Sequence, residues 1–504
     1  MKPSGETFQL AVLSGDGNPL PATELTEAMV LNLEYVPAFQ HKPEVATGRV
    51  TLPAPDGRFA ISLPLSVPGF GYVHVNADDE GPGYDPKEAA GKTLNFVFEA
   101  ARSRCAAVEG AEKQWRQLGT VPSSGYAQRM AKARTLLEDA RARRSDDAAC
   151  ARLAMLSLAE SLHAGEMLAV EHARARIAAS PKRAGFPFGC NGFGYPKLGE
   201  RYAELFRDLF SFVTLPFYRV WTEREEGTRD FSQVEKILEW TTRDGLAAKG
   251  HPLMWFHRAG IPKWMEGRSY EQVEETHRSY ILDAVGRFRD RIKVWDIINE
   301  AHDWANDFGY TREQLVEMTR FAADVTKEAD PEAVRIVNSC CTWSEYIATG
   351  RDYSREIGRP ARSVFQYLRD VIDAGVEFEV IGVQMYYPAR DLFEINRQVD
   401  RFRQFGKPVH ITELGVSSSS GPVEHDPTVN VHLAFWHGHP WTETDQADWI
   451  EAYYTMCYAK PEIKAISWFD LCDPAFIPHG GLVHPDLRPK EGYSRLHKLI
   501  RSWG

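Results

Sequence analysis

Three things are scarce in this 504-residue chain, and each scarcity removes a class of explanation. Cysteine occurs seven times, at 105, 150, 190, 340, 341, 457 and 472, an odd number without a CxxC spacing. A disulfide framework or a cysteine zinc cluster is therefore not expected, and adjacent Cys340 and Cys341 read as small apolar residues closing a strand. Positive charge is in deficit, 59 Lys and Arg against 70 Asp and Glu for a net −11, which argues against nucleic acid as a partner. Apolar runs of about 20 residues are missing, so no membrane span is expected. The opening Met1-Lys2-Pro3-Ser4-Gly5 is polar and has no apolar signal core, which leaves a cytoplasmic location, or a secreted or periplasmic one if a leader has been removed. Nothing in the sequence fixes an oligomeric state.

What is present is more specific. Hydrophobic residues at 43% and charged residues at 26% are those of a globular chain, and the length calls for two or three domains. Aromatics reach 12%, with 13 Trp; most must be core, but the excess suits a surface that stacks on flat apolar faces. Residues 1–100 alternate in short runs, as in Thr7-Phe8-Gln9-Leu10-Ala11-Val12 and Gly71-Tyr72-Val73-His74-Val75, broken by Gly and Pro. They are expected to form a small antiparallel sandwich, serving either as a binding module or as a structural brace. Over 101–180 the spacing turns helical, with Leu153, Leu156, Leu158, Leu162 and Leu168, the pattern of a linker or hairpin packed between domains.

From about 185 to 504 strand and helix patterns alternate eight times, which predicts a (β/α)8 barrel with its chemistry at the C-terminal strand ends. The expected strands are 188–190, 212–216, 251–255, 294–298, 336–339, 380–384, 409–412 and 466–469, with helices over 231–248, 270–290, 311–328, 361–374 and 443–459. Two of the strand strings stop on a glutamate: Trp295-Asp296-Ile297-Ile298-Asn299-Glu300 on the fourth, and His410-Ile411-Thr412-Glu413-Leu414 on the seventh. Two carboxyls at one barrel mouth are the equipment of glycoside hydrolysis, one protonating the leaving oxygen while the other attacks or stabilises the sugar cation.

At these strings the chain resembles glycoside hydrolase family 10, the retaining endo-β-1,4-xylanase family, over about two-thirds of its length. The matching strings are Lys249 to Trp255 with Ile261 to Trp264, Val294 to Glu300, Gly382-Val383-Gln384, His410 to Leu414, and Pro489-Lys490-Glu491-Gly492-Tyr493. The resemblance implies Glu413 as nucleophile, Glu300 as acid/base and Asn299 as holder of the sugar 2-hydroxyl. It implies an oligo- or polysaccharide partner of xylan type; no cofactor or metal is expected, and the strand 2 departures below point to a decorated or short substrate. Gln384 matches the family, whereas the position usually held by a His that orients the nucleophile is Tyr386, which could still donate a hydrogen bond to Glu413. In the strand 3 string Phe256 takes the place of the second His, with His257 displaced by one. On strand 2 the polar sugar-gripping pair is replaced within Leu215-Pro216-Phe217-Tyr218-Arg219-Val220-Trp221, and Arg219 becomes a candidate for a substituted sugar. Trp468 is the candidate floor of the cleavage subsite. The histidine-bearing stretch 415–441 reads as a long loop able to close over the groove.

Two other classes compete. His251, His257, Glu300, His302 and His410 all fall near strand ends and could in principle serve a metal-dependent barrel hydrolase, although no HxH or HExxH pair lies on one strand face. A non-catalytic carbohydrate-binding protein would require the loss of one glutamate, and both are present.

Overall fold

The computed structural model describes residues 1–351, 356–358, 361–386, 389–419, 435–437 and 439–503. Within them the alternation after residue 185 closes into a parallel eight-stranded barrel. Its strands are β1 (Phe188–Asn191), β2 (Phe212–Pro216), β3 (Ala247–His251), β4 (Val294–Asn299), β5 (Val334–Ser339), β6 (Val380–Met385), β7 (Val409–Leu414) and β8 (Ile463–Trp468). The expected crossover helices form at Ser232–Arg243, Tyr270–Phe288, Arg312–Ala329, Val364–Asp373 and Glu443–Tyr458. Four of them begin on a reciprocal capping box, at Ser269, Thr311, Ser363 and Thr442, which satisfies orphan amides where each helix leaves its loop.

Strand β3 differs from the expected 251–255. The apolar run Pro252-Leu253-Met254 suggested a strand there, but Pro252 has no N–H to donate, and the ladder stops at His251. The strand lies four residues earlier, in small and polar residues, because it faces Lys249 into the barrel and must clear Trp295. A Cβ on Gly250 would stand 2.2 Å from that indole ring.

The N-terminal part forms two sheets. One pairs Glu44–Ala46, Arg49–Pro55, Pro3–Ala11 and Thr93–Asn95; the last pair is parallel, so the sandwich is not purely antiparallel as expected. The other pairs Met29–Leu31, Ala60–Val67 and Gly71–Ala77, and is extended by Phe435–Trp436 and His439–Pro440 from the chain after β7. Three helices follow: α1 (Phe96–Gln117), α2 (Ser124–Ala142) and α3 (Asp147–Ala179).

Helix α3 belongs to two cores. Cys150, Ala151, Ala154, Met155, Leu158 and Leu162 pack with the sandwich, whereas Ala164, Leu168, Ala169 and Ala173 pack with the barrel. This helix is long and apolar enough to span a membrane by composition, yet 61% of its most apolar window is buried against the rest of the chain, as befits a core helix.

Candidate active site

The site is built where β3 to β7 end. Beyond Asn299 the chain leaves the ladder, and Glu300 takes a left-handed backbone, φ 57°. This conformation costs a non-glycine residue about 1 kcal/mol and is held by its amide donating to the Asn338 carbonyl at 2.8 Å. Each Glu300 oxygen then receives one donor: Trp255 Nε1 to Oε2 at 2.9 Å and Gln384 Nε2 to Oε1 at 2.8 Å. Glu413, on β7, receives the Tyr386 hydroxyl on Oε2 at 2.9 Å and Asn338 Nδ2 on Oε1 at 3.3 Å.

Asn299 joins the two carboxyls. Its Oδ1 accepts from Asn338 Nδ2 at 2.8 Å and from Gln384 Nε2 at 3.3 Å, the same donors that hold Glu413 and Glu300. Asn338 is in turn fixed by the Thr412 hydroxyl donating to its Oδ1 at 2.6 Å. That approach needs Gly382 on β6, where a Cβ would fall 2.5 Å from Asn338 Oδ1.

Below lies a buried charge cluster. Asp296 Oδ2 accepts from Lys249 Nζ at 2.7 Å and from His251 Nδ1 at 2.6 Å. Burial alone would raise the Asp296 carboxyl, but Lys249 and His251 outweigh it and hold the group below its ordinary value. With Nδ1–H committed to Asp296, His251 Nε2 accepts from the Tyr218 hydroxyl at 3.0 Å and sits 3.6 Å from Glu413 Oε1. Burial raises both glutamates, and the neighbouring groups act on them in opposite senses. Burial, reinforced by the charge of Glu413, pushes Glu300 up to about 7. Burial also raises Glu413, against the pull of His251 and the Tyr386 donor. An acid that keeps its proton near neutrality, beside a second carboxyl whose charged form is favoured by His251 and the Tyr386 donor, is the arrangement that acid catalysis with nucleophilic attack requires.

Aromatic rings line the rim. Tyr218, Trp221, Phe193, Phe469, Phe476 and Tyr386 follow one another with ring centroids 4.7 to 6.4 Å apart. Among them is a third carboxyl, Asp470, raised by burial to about 6 although the Phe476 amide and Asn191 both donate to it.

The structure therefore brings Glu300, Glu413, Asn299, Gln384 and Tyr386 together. Gln384 serves Glu300 directly, and Tyr386 donates to Glu413. His257 lies one layer out, stacked on Trp255 at 5.0 Å. Arg219 does not face the site: it is 4% exposed, paired with Glu223 at 3.0 Å, bonded to the Thr276 carbonyl and packed over Trp264 and Tyr280. Its neighbour Tyr218 faces the site instead. Trp468 is 0% exposed with Nε1 donating to the Gly480 carbonyl, so it offers no open face for a sugar; Phe476, 42% exposed, is the accessible ring in that region. Asn338, Asp296 and Phe476 were not singled out from sequence. A lone Asn inside the apolar β5 string was the available signal, since a buried amide must find partners.

The histidines considered for a metal are dispersed. His302 bonds Tyr346 and lies against Cys340, His251 is engaged as above, and among the described residues no metal-ligating group forms at the barrel mouth. The expected lid falls partly on residues 420–434 and 438, outside the described residues. Of that stretch, Ser417 and Ser418 are tied to the β8 side, with Lys490 Nζ donating to Ser418 Oγ at 2.9 Å and pairing with Asp473 at 2.6 Å.

Residues 195–476 match the model of glycosyl hydrolase family 10. Endo-1,4-beta-xylanase B of Thermotoga neapolitana is 25% identical over 337 residues, covering 63% of this chain and 88% of that protein. Endo-1,4-beta-xylanase B of Paenibacillus barcinonensis is 25% identical over 240 residues, covering 44% and 65%. Among solved structures, native xylanase 10B of Thermotoga maritima aligns with a TM-score of 0.49 at 22% identity over 63% of this chain and 95% of that one.

Proposed function

This chain belongs to glycosyl hydrolase family 10, and on that premise we propose that Glu413 and Glu300 carry out a double displacement on a β-linked, xylan-type glycan. A Glu413 oxygen attacks the anomeric carbon as the glycosidic bond breaks, and the departing oxygen takes the proton from Glu300. In the second half Glu300 removes a proton from water, the water oxygen bonds to the anomeric carbon, and Glu413 is released with net retention. Asn299 is oriented by Gln384 and Asn338, which leaves its Nδ2 to donate to a sugar hydroxyl beside the reacting centre. The observation that carries this reading is the pair itself: one glutamate at the end of β4 and one at the end of β7, each oxygen given its own donor, with Glu300 raised to about 7.

The test is rescue. Glu413→Ala should abolish turnover, and azide should restore it with formation of the glycosyl azide of inverted anomeric configuration. A wild-type product of inverted configuration would overturn the assignment of Glu413 as nucleophile.

A further inference from the structure

Far from the barrel mouth, His163 and Glu166 on α3 meet His437 from the chain after β7. Their ligand atoms all lie within 4.8 Å of one another, the one such group among the described residues. We propose that these three residues form a divalent transition-metal site, of zinc type, that ties His437 to the helical layer.

The donor chemistry fits. Two imidazoles and one carboxylate are a set that zinc accepts, with water as fourth ligand. Two atoms each about 2 Å from one ion lie about 3.3 Å apart in a tetrahedron, so side-chain rotation must draw the group, now within 4.8 Å, closer together around the ion. The outer partners are already in place. His163 Nε2 lies 2.9 Å from the Gly69 carbonyl, which can only accept; Nε2 therefore carries the hydrogen and Nδ1 the lone pair, the arrangement found behind metal-bound imidazoles. Glu166 Oε1 accepts from the Leu392 amide at 2.9 Å, while Oε2 faces His437 Nε2 at 2.6 Å. The metal replaces the proton shared there, which leaves to solvent. Phe70 sets the ring planes, 4.9 Å from His163 and 5.5 Å from His437.

The surroundings admit an ion. His163, Glu166 and His437 line a cleft of about 460 Å³ together with Met167, Val170 and Leu392. Arg129 and Arg174 at its edge are paired with Glu160 at 2.8 Å and Glu451 at 3.1 Å, so their charge is balanced locally. The position has a structural logic as well: Leu162 is the last residue of α3 in the sandwich core and Ala164 the first in the barrel core, so the ion would sit at the seam.

Untagged full-length protein, stripped with chelator, is titrated with Co2+ and Zn2+. One equivalent should bind, Co2+ should show the visible absorption of a four-coordinate nitrogen and oxygen site, and Zn2+ should raise the melting temperature. His163→Ala and His437→Ala should each weaken binding by at least about 100-fold, beyond the 10–100-fold typical of an outer partner, with glycoside hydrolysis retained as the control for folding. Glu166→Gln, which keeps an acceptor for the Leu392 amide, should lose the Co2+ spectrum. Failure of the wild type to bind one equivalent, or unchanged binding in the two histidine variants, would overturn the proposal. Neither outcome depends on which glutamate is the nucleophile.

Discussion

Glu300 carries its proton near neutrality because it is enclosed and faces another carboxyl, and that sets an experiment on the residue itself. With its value at about 7, the acid form prevails below that pH and is lost above it, so the alkaline limb of kcat/KM should fall near pH 7. Glu300→Ala should flatten that limb. The variant should lose several powers of ten on glycosides with poor leaving groups and little on the first step for activated aryl glycosides; equal losses on both would give Glu300 another role. Tyr386 offers the complementary test. Its hydroxyl favours the charged form of Glu413, so Tyr386→Phe should raise the acid limb by about one to two units, a hydrogen bond to a charged group contributing about 1.5–3 kcal/mol. An unmoved acid limb would show that the hydroxyl does not stabilise the ionised nucleophile; the limbs themselves belong to the coupled pair. At this scale the sequence was informative where a polar residue ends an apolar strand, as at Glu300, Gln384 and Glu413. It marked Asn338 only as a lone amide in an apolar string, because that residue's importance comes from three neighbours on β4 and β7 that no local pattern joins.

At the scale of elements, the strand 2 region shows why single positions were misread. The chain leaves β2 at Pro216 and turns into a short helix at Arg219–Thr222. A two-residue periodicity therefore no longer predicts which side chain faces the mouth, and Tyr218 takes the place expected for Arg219. Substrate choice is then expected to rest on the aromatic rim rather than on a cation. Short or decorated β-1,4-xylosyl substrates are expected to be turned over faster than plain polymeric xylan, across a panel including glucuronoxylan, arabinoxylan, xylo-oligosaccharides and aryl β-xylosides. Arg219→Ala should leave the ranking unchanged while destabilising the fold by about 3–5 kcal/mol, the usual consequence of breaking a buried ion pair, read by thermal melting. A selective loss on glucuronoxylan would return Arg219 to the site. The shift of β3 has a similar origin: apolarity marked the wrong end of the string because a barrel interior that holds Lys249 and Asp296 is polar where a strand was expected to be greasy.

For the whole molecule, α3 makes the sandwich and the barrel mechanically one. A helix of 33 residues, about 50 Å long at 1.5 Å per residue, runs one continuous hydrogen-bonded ladder through both cores. Calorimetry of the full chain should therefore show a single transition rather than two. Removal of residues 1–180 should yield an aggregating barrel, because it uncovers the surface under Leu168 and Ala173; a soluble, active fragment melting like the intact chain would refute this. The barrel was legible from its eightfold alternation, and the helical layer from its leucine spacing. The division of one helix between two cores was not legible, since both halves present the same apolar period.

The hairpin of Phe435–Trp436 and His439–Pro440 carries that unity into heredity. Trp436 pairs with Gly71, so a strand of the N-terminal sheet is encoded within the catalytic half of the gene. A recombination breakpoint near codon 185 looks clean along the sequence, yet it parts two segments that complete each other in space. This sandwich is thus poorly suited to exchange as a cassette among hydrolases, and changes on either side of the pairing are expected to be inherited together.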